Sequence, residues 1–183
     1  MAEIFDHVYP AAEGLSDRLA VALRKIEFAR NYTMISLEGL SDDDWFWVPE
    51  NPHEYVTHIA WQVGHIAMSE YGLTLFRQRG RKLEDAELMS GKFRKLFMKG
   101  TTPKSDREAY PAPDEILEVL GKVHQQMRSE IASLEETLDE ESGPPHAAYA
   151  TKYGALLFAP DHEMLHAGQI GMLRRMMGKP PMR

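Results

Sequence analysis

The chain has 183 residues, a formal net charge of −7 and no cysteine. This length fits one domain with a real core, and the lack of cysteine excludes disulfides and cysteine-ligated metals. The acidic balance argues against a general nucleic-acid binder, and no apolar run approaches the roughly 20 residues of a membrane span. Residues 1–10 do not resemble a signal peptide, so we expect one cytoplasmic domain over residues 1–183.

The first half of the chain predicts two long helices with a short helical turn between them. Residues 13–40 carry leucine and isoleucine at three- and four-residue steps, the spacing of an amphipathic helix. Ser41 is placed to cap the short turn, which contains two tryptophans. The second long helix begins either at residues 51–54, where proline follows a capping asparagine, or at Thr57. It ends at Gly80.

The second half predicts two more long helices and no convincing strand. The first begins near Asp114, and its buried stripe is the cleanest in the chain: Ile116, Leu120, Val123, Met127, Ile131, Leu134 and Leu138. The last helix covers about 152–177; Pro160 either starts it or kinks it, and Gly178 closes it. Four long amphipathic helices predict an all-α fold, a four-helix bundle.

The most informative motif is His162-Glu163-Met164-Leu165-His166 in the last predicted helix. Two histidines four residues apart share one face of a helix, and the pattern assigns Leu165 and Ile170 to the same apolar stripe. A buried imidazole without a partner costs free energy, so a shared metal ion is one explanation and a polar core pair is the other. With Glu163 between them, the histidines also match the His-Glu-x-x-His pattern of zinc metallopeptidases.

That metallopeptidase pattern makes further demands that the chain does not meet. The metzincin extension needs glycine and histidine where this chain has Gln169 and Met172. No acidic residue follows Glu163, so a downstream glutamate ligand is missing as well. A third ligand therefore has to come from upstream, and Gln169 is expected to form a hydrogen bond within the helical core.

His65 is the upstream candidate for the third ligand. Trp61, His65 and Met68 follow helical spacing along a predicted buried stripe. Two helices packed about 8–10 Å apart can bring one histidine from the first and a pair from the second around one ion. Three histidines with open positions make a catalytic type of site. His58, two turns earlier, could support the site, lie at its mouth, fill it as a fourth ligand, or be a plain surface histidine.

On these residues the chain resembles the DinB / YfiT-like superfamily of metal-dependent proteins built on a four-helix bundle. The resemblance rests mainly on residues 59–66 and 162–170. It implies a divalent ion, with zinc or nickel favoured, held by one histidine of the second helix and two of the last. These are His65, His162 and His166, the same trio that the spacing indicates.

Two reactions are open for such a site, and the resemblance implies both. One is hydrolysis of a small amide or ester through a metal-bound water; the other is transfer of a low-molecular-weight thiol to an electrophile. The substrate is then a small molecule, a thiol in the second case. Glu163 has three open placements: general base beside that water, acceptor for the ring N–H of a ligand histidine, or solvent.

Two other classes stay in view. A non-catalytic metal-binding stress or interaction module, associated as a homodimer, fits the apolar surface that eleven methionines and three tryptophans leave to spare. A di-iron carboxylate bundle is disfavoured, because its second Glu-x-x-His motif, Glu50 to His53, is interrupted by proline.

The segment from Gly80 to Pro113 is longer than the connections usual in bundles. It carries Leu88, Phe93 and Phe97, which predict a short helix of its own. We expect this connection between the second and third long helices to be either a flap near the metal or a plain covering of helix ends.

Overall fold

The computed structural model describes residues 14–50, 56–101, 104 and 106–181. The chain is mostly helical, which confirms the predicted all-α class in its coarse form. Its α-helices are α1 (Asp17–Leu37), α2 (Asp42–Phe46), α3 (Ile59–Glu70), α4 (Arg77–Arg79), α5 (Asp85–Leu88), α6 (Gly91–Leu96), α7 (Pro113–Glu130) and α8 (Lys152–Met176). A π-helical stretch, Tyr71–Phe76, joins α3 to α4, and 3-10 turns cover Arg107–Ala109 and Ile131–Thr137.

The prediction that the chain contains no strand is wrong. Strands β1 (Glu141–His146) and β2 (Tyr149–Thr151) form an antiparallel ribbon with an irregular register. Strand β1 contains Gly143-Pro144-Pro145, which by pattern alone indicates nothing more than the end of a helix. Proline is confined to edge strands because it lacks an N–H group, and a two-stranded ribbon consists of edges alone.

The helix ends follow local capping chemistry. The Ser41 side chain and the Asp44 side chain form a reciprocal capping box at the start of α2. His58, rather than Thr57, caps α3, since its ring accepts from the Trp61 backbone N–H. The alternative start at residues 51–54 lies outside the described residues, as do residues 1–10.

Helices α1 and α8 lie side by side and run in the same direction. Near their starts, the Tyr153 hydroxyl donates to the carbonyl of Arg18 at 3.4 Å. Near their ends, Arg174 donates to the carbonyl of Ser36 at 3.1 Å. These two contacts hold the pair in register over its length.

Helices α3 and α7 also run parallel to each other. Glu70 at the end of α3 meets His124 of α7 at 2.8 Å, and Arg79 of α4, which continues the direction of α3, meets Glu130 at the end of α7 at 2.6 Å. A chain that leaves one helix and enters a parallel neighbour must return along its length. This geometry accounts for the long 80–113 connection.

All seven residues of the predicted core stripe of the third long helix are buried, but the helix is shorter than predicted: α7 ends at Glu130, and Ile131, Leu134 and Leu138 lie in and just after the 3-10 turn that follows. Helix α8 passes through Pro160 without interruption and ends before Gly178, whose φ is 77°. Its predicted stripe is wrong at Leu165, which is 63% exposed, because this residue lies about 100° around the helix from His166. Among the described residues, no helix is both long and apolar enough to span a membrane.

Candidate metal centre

The structure brings three histidines of α3 and α8 together. One ring nitrogen from each of His65, His162 and His166 lies within 4.8 Å of the others. The ring centroids of the two histidines of α8 are 4.6 Å apart. The centroid of His65 lies 4.8 Å from that of His166 and 5.3 Å from that of His162. Such a group could hold a metal ion; the assignment of the three residues as ligands stays a prediction.

Hydrogen bonds set the ring orientation of His65. Its Nδ1 lies 2.7 Å from the carbonyl oxygen of Phe97. A carbonyl oxygen only accepts, so Nδ1 carries the proton and Nε2 keeps its lone pair. The Ser69 hydroxyl lies 3.3 Å from that Nε2, where it is the donor. In a metal-binding histidine one nitrogen commonly donates to an oxygen in this way, which leaves the other unprotonated with a lone pair for the ion.

His166 is oriented in the same way by an amide. Its Nδ1 lies 2.5 Å from Oε1 of Gln62. The Gln62 amide group donates to Oε1 of Gln169 at 2.6 Å and to the hydroxyl of Thr57. The direction of this chain of bonds makes Oε1 of Gln62 an acceptor and Nδ1 of His166 a donor. Gln169 thus forms the expected hydrogen bond between helices, although Gln169 itself is exposed, whereas no sequence pattern pointed to Gln62.

The three imidazoles are neutral near pH 7. Burial lowers the pKa of His65. The hydrogen bond to Phe97 raises it, and the charge of Lys99 lowers it further. Burial is the main cause, and the neighbouring His65 the second, that lowers the pKa of His162 to about 4. Burial and the neighbouring His162 lower the pKa of His166 to about 3. A neutral imidazole is the form that binds a metal ion, so this donor set fits a divalent cation.

A cavity of about 870 Å³ opens beside the three histidines, a size typical of small-molecule sites. One wall is Trp61, whose ring stacks on His65 at 4.7 Å and whose Nε1 donates to Thr101 at 3.1 Å. A second cavity of about 510 Å³, between the 80–113 connection and α7, contains none of the three histidines. The larger cavity is therefore the one that can admit a substrate to the candidate metal centre.

The 80–113 connection borders this cavity, and its role as a flap stays a prediction. Phe97 supplies the carbonyl that orients His65, and residues 99–101 line the cavity. The Phe97 ring is fully buried against Gly64, where any Cβ atom would overlap it. The absence of a side chain at Gly64 thus allows the connection to approach the histidines.

The interpretation of His58 as a plain surface histidine is wrong. The residue is 1% exposed, and its Nδ1 accepts from the Trp61 N–H at 3.1 Å. Its Nε2 lies 3.2 Å from the carbonyl oxygen of Lys104. Burial lowers its pKa to about 4. Because both ring nitrogens face backbone groups, His58 is not available as a fourth ligand.

Glu163 points neither to solvent nor to a histidine ring. It is 4% exposed, and its carboxylate accepts from Arg30 Nε at 2.9 Å and from Arg30 Nη2 at 3.2 Å. Arg30 also donates to Glu70 at 2.7 Å. The solvent placement of Glu163 is therefore wrong, and its catalytic role stays a prediction. Its arginine partner, 133 positions earlier, carries no sequence signal of its own.

His146 is a cavity residue that the sequence did not reveal. It ends β1, stacks on Tyr149 at 4.4 Å and lies 5.4 Å from Phe158 across the cavity wall. Prediction of the ribbon would have located it, because the tight turn to β2 sets its position.

The fold and the site define a helical protein with a three-histidine group beside a cavity. The family model of the DinB superfamily matches residues 25–170, and the chain belongs to this superfamily. The match confirms the family to which the two histidine segments pointed. No protein of curated function shows significant similarity to the chain.

Proposed function

We propose that this protein is a mononuclear metal-dependent enzyme that transfers a low-molecular-weight thiol to a small electrophile. His65, His162 and His166 would hold the ion, with zinc or nickel favoured. The observation that carries the proposal is the meeting of three neutral imidazoles on the wall of a cavity of about 870 Å³. The proposal includes a cytoplasmic location and a four-helix bundle of α1, α3, α7 and α8.

The residues of the chain have separate tasks in this proposal. When bound, a divalent ion supplies the positive charge that favours the thiolate form of a thiol. The Phe97 carbonyl and the Gln62 amide orient the rings of His65 and His166. The Trp61 ring, stacked on His65, keeps water from one side of the site. The thiol gives its proton to water, its sulfur forms a bond to the electrophilic carbon, and the leaving group departs with the electron pair of the bond that breaks.

Thiol transfer is favoured over hydrolysis by the position of the carboxylates. Hydrolysis benefits from a general base within hydrogen-bond reach of the attacking water. Glu163 is the acidic residue of the motif, and Arg30 engages both of its oxygens. The described residues that line the cavity include no carboxylate. A thiol that ionises at the metal needs no such base.

The second candidate function is a non-catalytic metal-binding module that acts as a homodimer. Its support is a group of large apolar side chains exposed on the outer faces of α1 and α8: Val21, Phe28, Tyr32, Met34, Leu165, Met172 and Met176. Exposed apolar surface of this kind is typical of protein–protein contacts.

Metal content measured by elemental mass spectrometry on the untagged protein tests the site. We expect about one divalent ion per chain, lost in His65→Ala and His166→Ala while helicity by circular dichroism persists. His146→Ala, which changes a cavity histidine outside the trio, should keep the ion. A protein that takes up neither zinc nor nickel from solution would show that the histidines form a polar core cluster.

The reaction is tested on the metal-loaded protein with cysteine as thiol and 1-chloro-2,4-dinitrobenzene as electrophile. Conjugation that His65→Ala abolishes supports thiol transfer. Cleavage of 4-nitrophenyl acetate without any thiol, abolished by the same variant, would instead identify a hydrolase. Inactivity in both assays, together with a dimer by light scattering, would favour the non-catalytic module.

A further inference from the structure

Two cationic side chains line the cavity beside the three histidines. Arg77 lies in α4, and Lys99 lies in the 80–113 connection. The chain has 28 acidic residues against 21 basic ones, yet the described residues that line this cavity include no carboxylate. With a divalent ion in place, all of the formal charges around the cavity would therefore be positive.

Arg77 is held in position without being neutralised. Its Nη1 donates to the carbonyls of Ser142 and Pro144 at 2.9 Å and 3.0 Å. Its guanidinium carbon lies 5.1 Å from the centre of the Tyr149 ring. Carbonyls and an aromatic face orient a guanidinium but leave its net charge available to an anion.

Other arginines of the same fold show the contrast. Arg30 pairs with Glu70 at 2.7 Å and Glu163 at 2.9 Å, whereas Arg77 pairs with no carboxylate among the described residues. Arg79, two positions after Arg77, pairs with two carboxylates as well, at 2.8 Å and 2.6 Å. A cation left unpaired in an acidic protein, on the wall of a cavity, is available for an external anion.

Lys99 brings a second positive charge to the same cavity. Its side chain is exposed and forms no ion pair within the described part of the chain. It lines the same cavity as the rings of His65 and His162. Lys99 and Arg77 therefore act on the same space from two different segments.

Part of the remaining wall is apolar. Met68, Leu73 and Phe158 line the cavity together with the two cations. A ligand that satisfies this wall carries a hydrocarbon or aromatic part as well as an anionic group.

We propose that the cavity binds a small organic anion, whose carboxylate or phosphate group is held by Arg77 and Lys99 and whose apolar part packs against Leu73 and Phe158. This inference rests on the proposed function, because it gives the substrate its charge and leaves its reacting group at the three histidines. Charge-assisted hydrogen bonds to guanidinium and ammonium groups are the interactions that select such an anion.

Binding of matched probes to the purified protein tests this inference by calorimetry. The probes are 3-phenylpropionate, phenyl phosphate and the neutral 3-phenylpropanol. We expect the better of the two anions to bind at least about tenfold more tightly than the alcohol, and the ratio of the anions identifies the preferred group. Measurements are made on the metal-loaded and on the chelated protein, because an anion held by the cations stays bound after chelation.

Variants separate the two cations from other sources of affinity. Lys99→Gln should weaken binding of the better anion about tenfold and leave the alcohol unchanged. Lys95→Gln, an exposed lysine of the same connection that does not line the cavity, is the matched control. Arg77→Gln should act like Lys99→Gln, with circular dichroism to check the ribbon and the fold.

The outcomes distinguish this inference from the function on which it rests. Equal affinity for the alcohol and both anions, or a Lys99→Gln protein that still prefers the anion by the wild-type factor, would overturn the anion site. A preference for the anion in a protein that binds no metal would overturn the proposed enzyme and leave the anion site standing.

Discussion

At the scale of single residues, the site depends on the atoms that form hydrogen bonds to the ring Nδ1 of the histidines. Gln62 and the Phe97 carbonyl each accept a hydrogen bond from a ring Nδ1–H and so leave the opposite nitrogen unprotonated. The candidate ligand rings of α3 and α8 are therefore placed by residues that would not bind an ion themselves. Two substitutions test this dependence.

Gln62→Leu should weaken zinc binding by about 10- to 100-fold, because His166 loses the acceptor that sets its orientation. Gln62→Glu keeps an acceptor oxygen and is the matched control. The dissociation constants are measured by competition with a chromogenic chelator. Unchanged zinc affinity in the leucine variant would show that packing alone orients the ring.

Gly64→Ala should destabilise the protein by about 1–3 kcal/mol, because the new methyl group overlaps the buried Phe97 ring. Displacement of Phe97 should also move the carbonyl that orients His65 and weaken zinc binding. Gly121→Ala is the control, since no atom lies within 4 Å of its Cβ position in α7. Urea unfolding gives both free energies, and an equal effect of the two substitutions would refute the close approach.

At the scale of elements, a buried group of charges joins the helices beneath the site. Arg30 of α1 meets Glu70 of α3 and Glu163 of α8. Burial alone would lower the pKa of Arg30, but the two carboxylates raise it above its ordinary value. Glu163 directly follows His162 in α8, so its pairing with Arg30 also helps to fix which face of α8 lies toward the cavity.

Arg30→Met should cost about 3–5 kcal/mol, because it leaves two carboxylates buried without their partner. Lys25→Met, which removes an exposed pair with Asp161, should cost less than about 1 kcal/mol. Unfolding by urea at neutral pH compares the two variants. A similar small loss in both would mean that water reaches the buried carboxylates and replaces the arginine.

At the scale of the whole molecule, His124 extends this charge group across α1, α3 and α7. Its ring lies 2.8 Å from Glu70 and 3.3 Å from Glu27. Burial would lower the pKa of His124, but the neighbouring carboxylates of Glu27 and Glu70 outweigh it and raise the pKa to about 9. The protonated ring is therefore part of the neutral-pH fold.

The stability of the folded chain should depend on pH through His124. Because the pKa of His124 is higher in the folded than in the unfolded chain, its protonation stabilises the fold. This stabilisation is complete below about pH 6.5 and is lost as the pH rises through about 9. The difference in unfolding free energy between the wild type and His124→Gln should shrink by about 3 kcal/mol between pH 6 and pH 10. A difference that stays constant with pH would show that the ring is neutral in the folded protein.

The sequence alone determined the local features of this protein. The caps of α2, the buried stripe of α7, the end of α8 and the family are all readable there, because capping and helical periodicity act over a few residues. The same periodicity located His162, His166 and His65 as candidates. It failed for β1, where two prolines conceal a strand that exists only through its partner.

The tertiary structure alone decided what each candidate touches. Glu163 pairs with Arg30 from 133 positions away, and His166 bonds to Gln62 from 104 positions away. No local pattern encodes such pairs, because they arise when helix directions and packing bring distant side chains together. Charges, hydrogen bonds and the cavity follow from that packing, so the chemistry that the site can support was settled by the fold rather than by the spacing of its histidines.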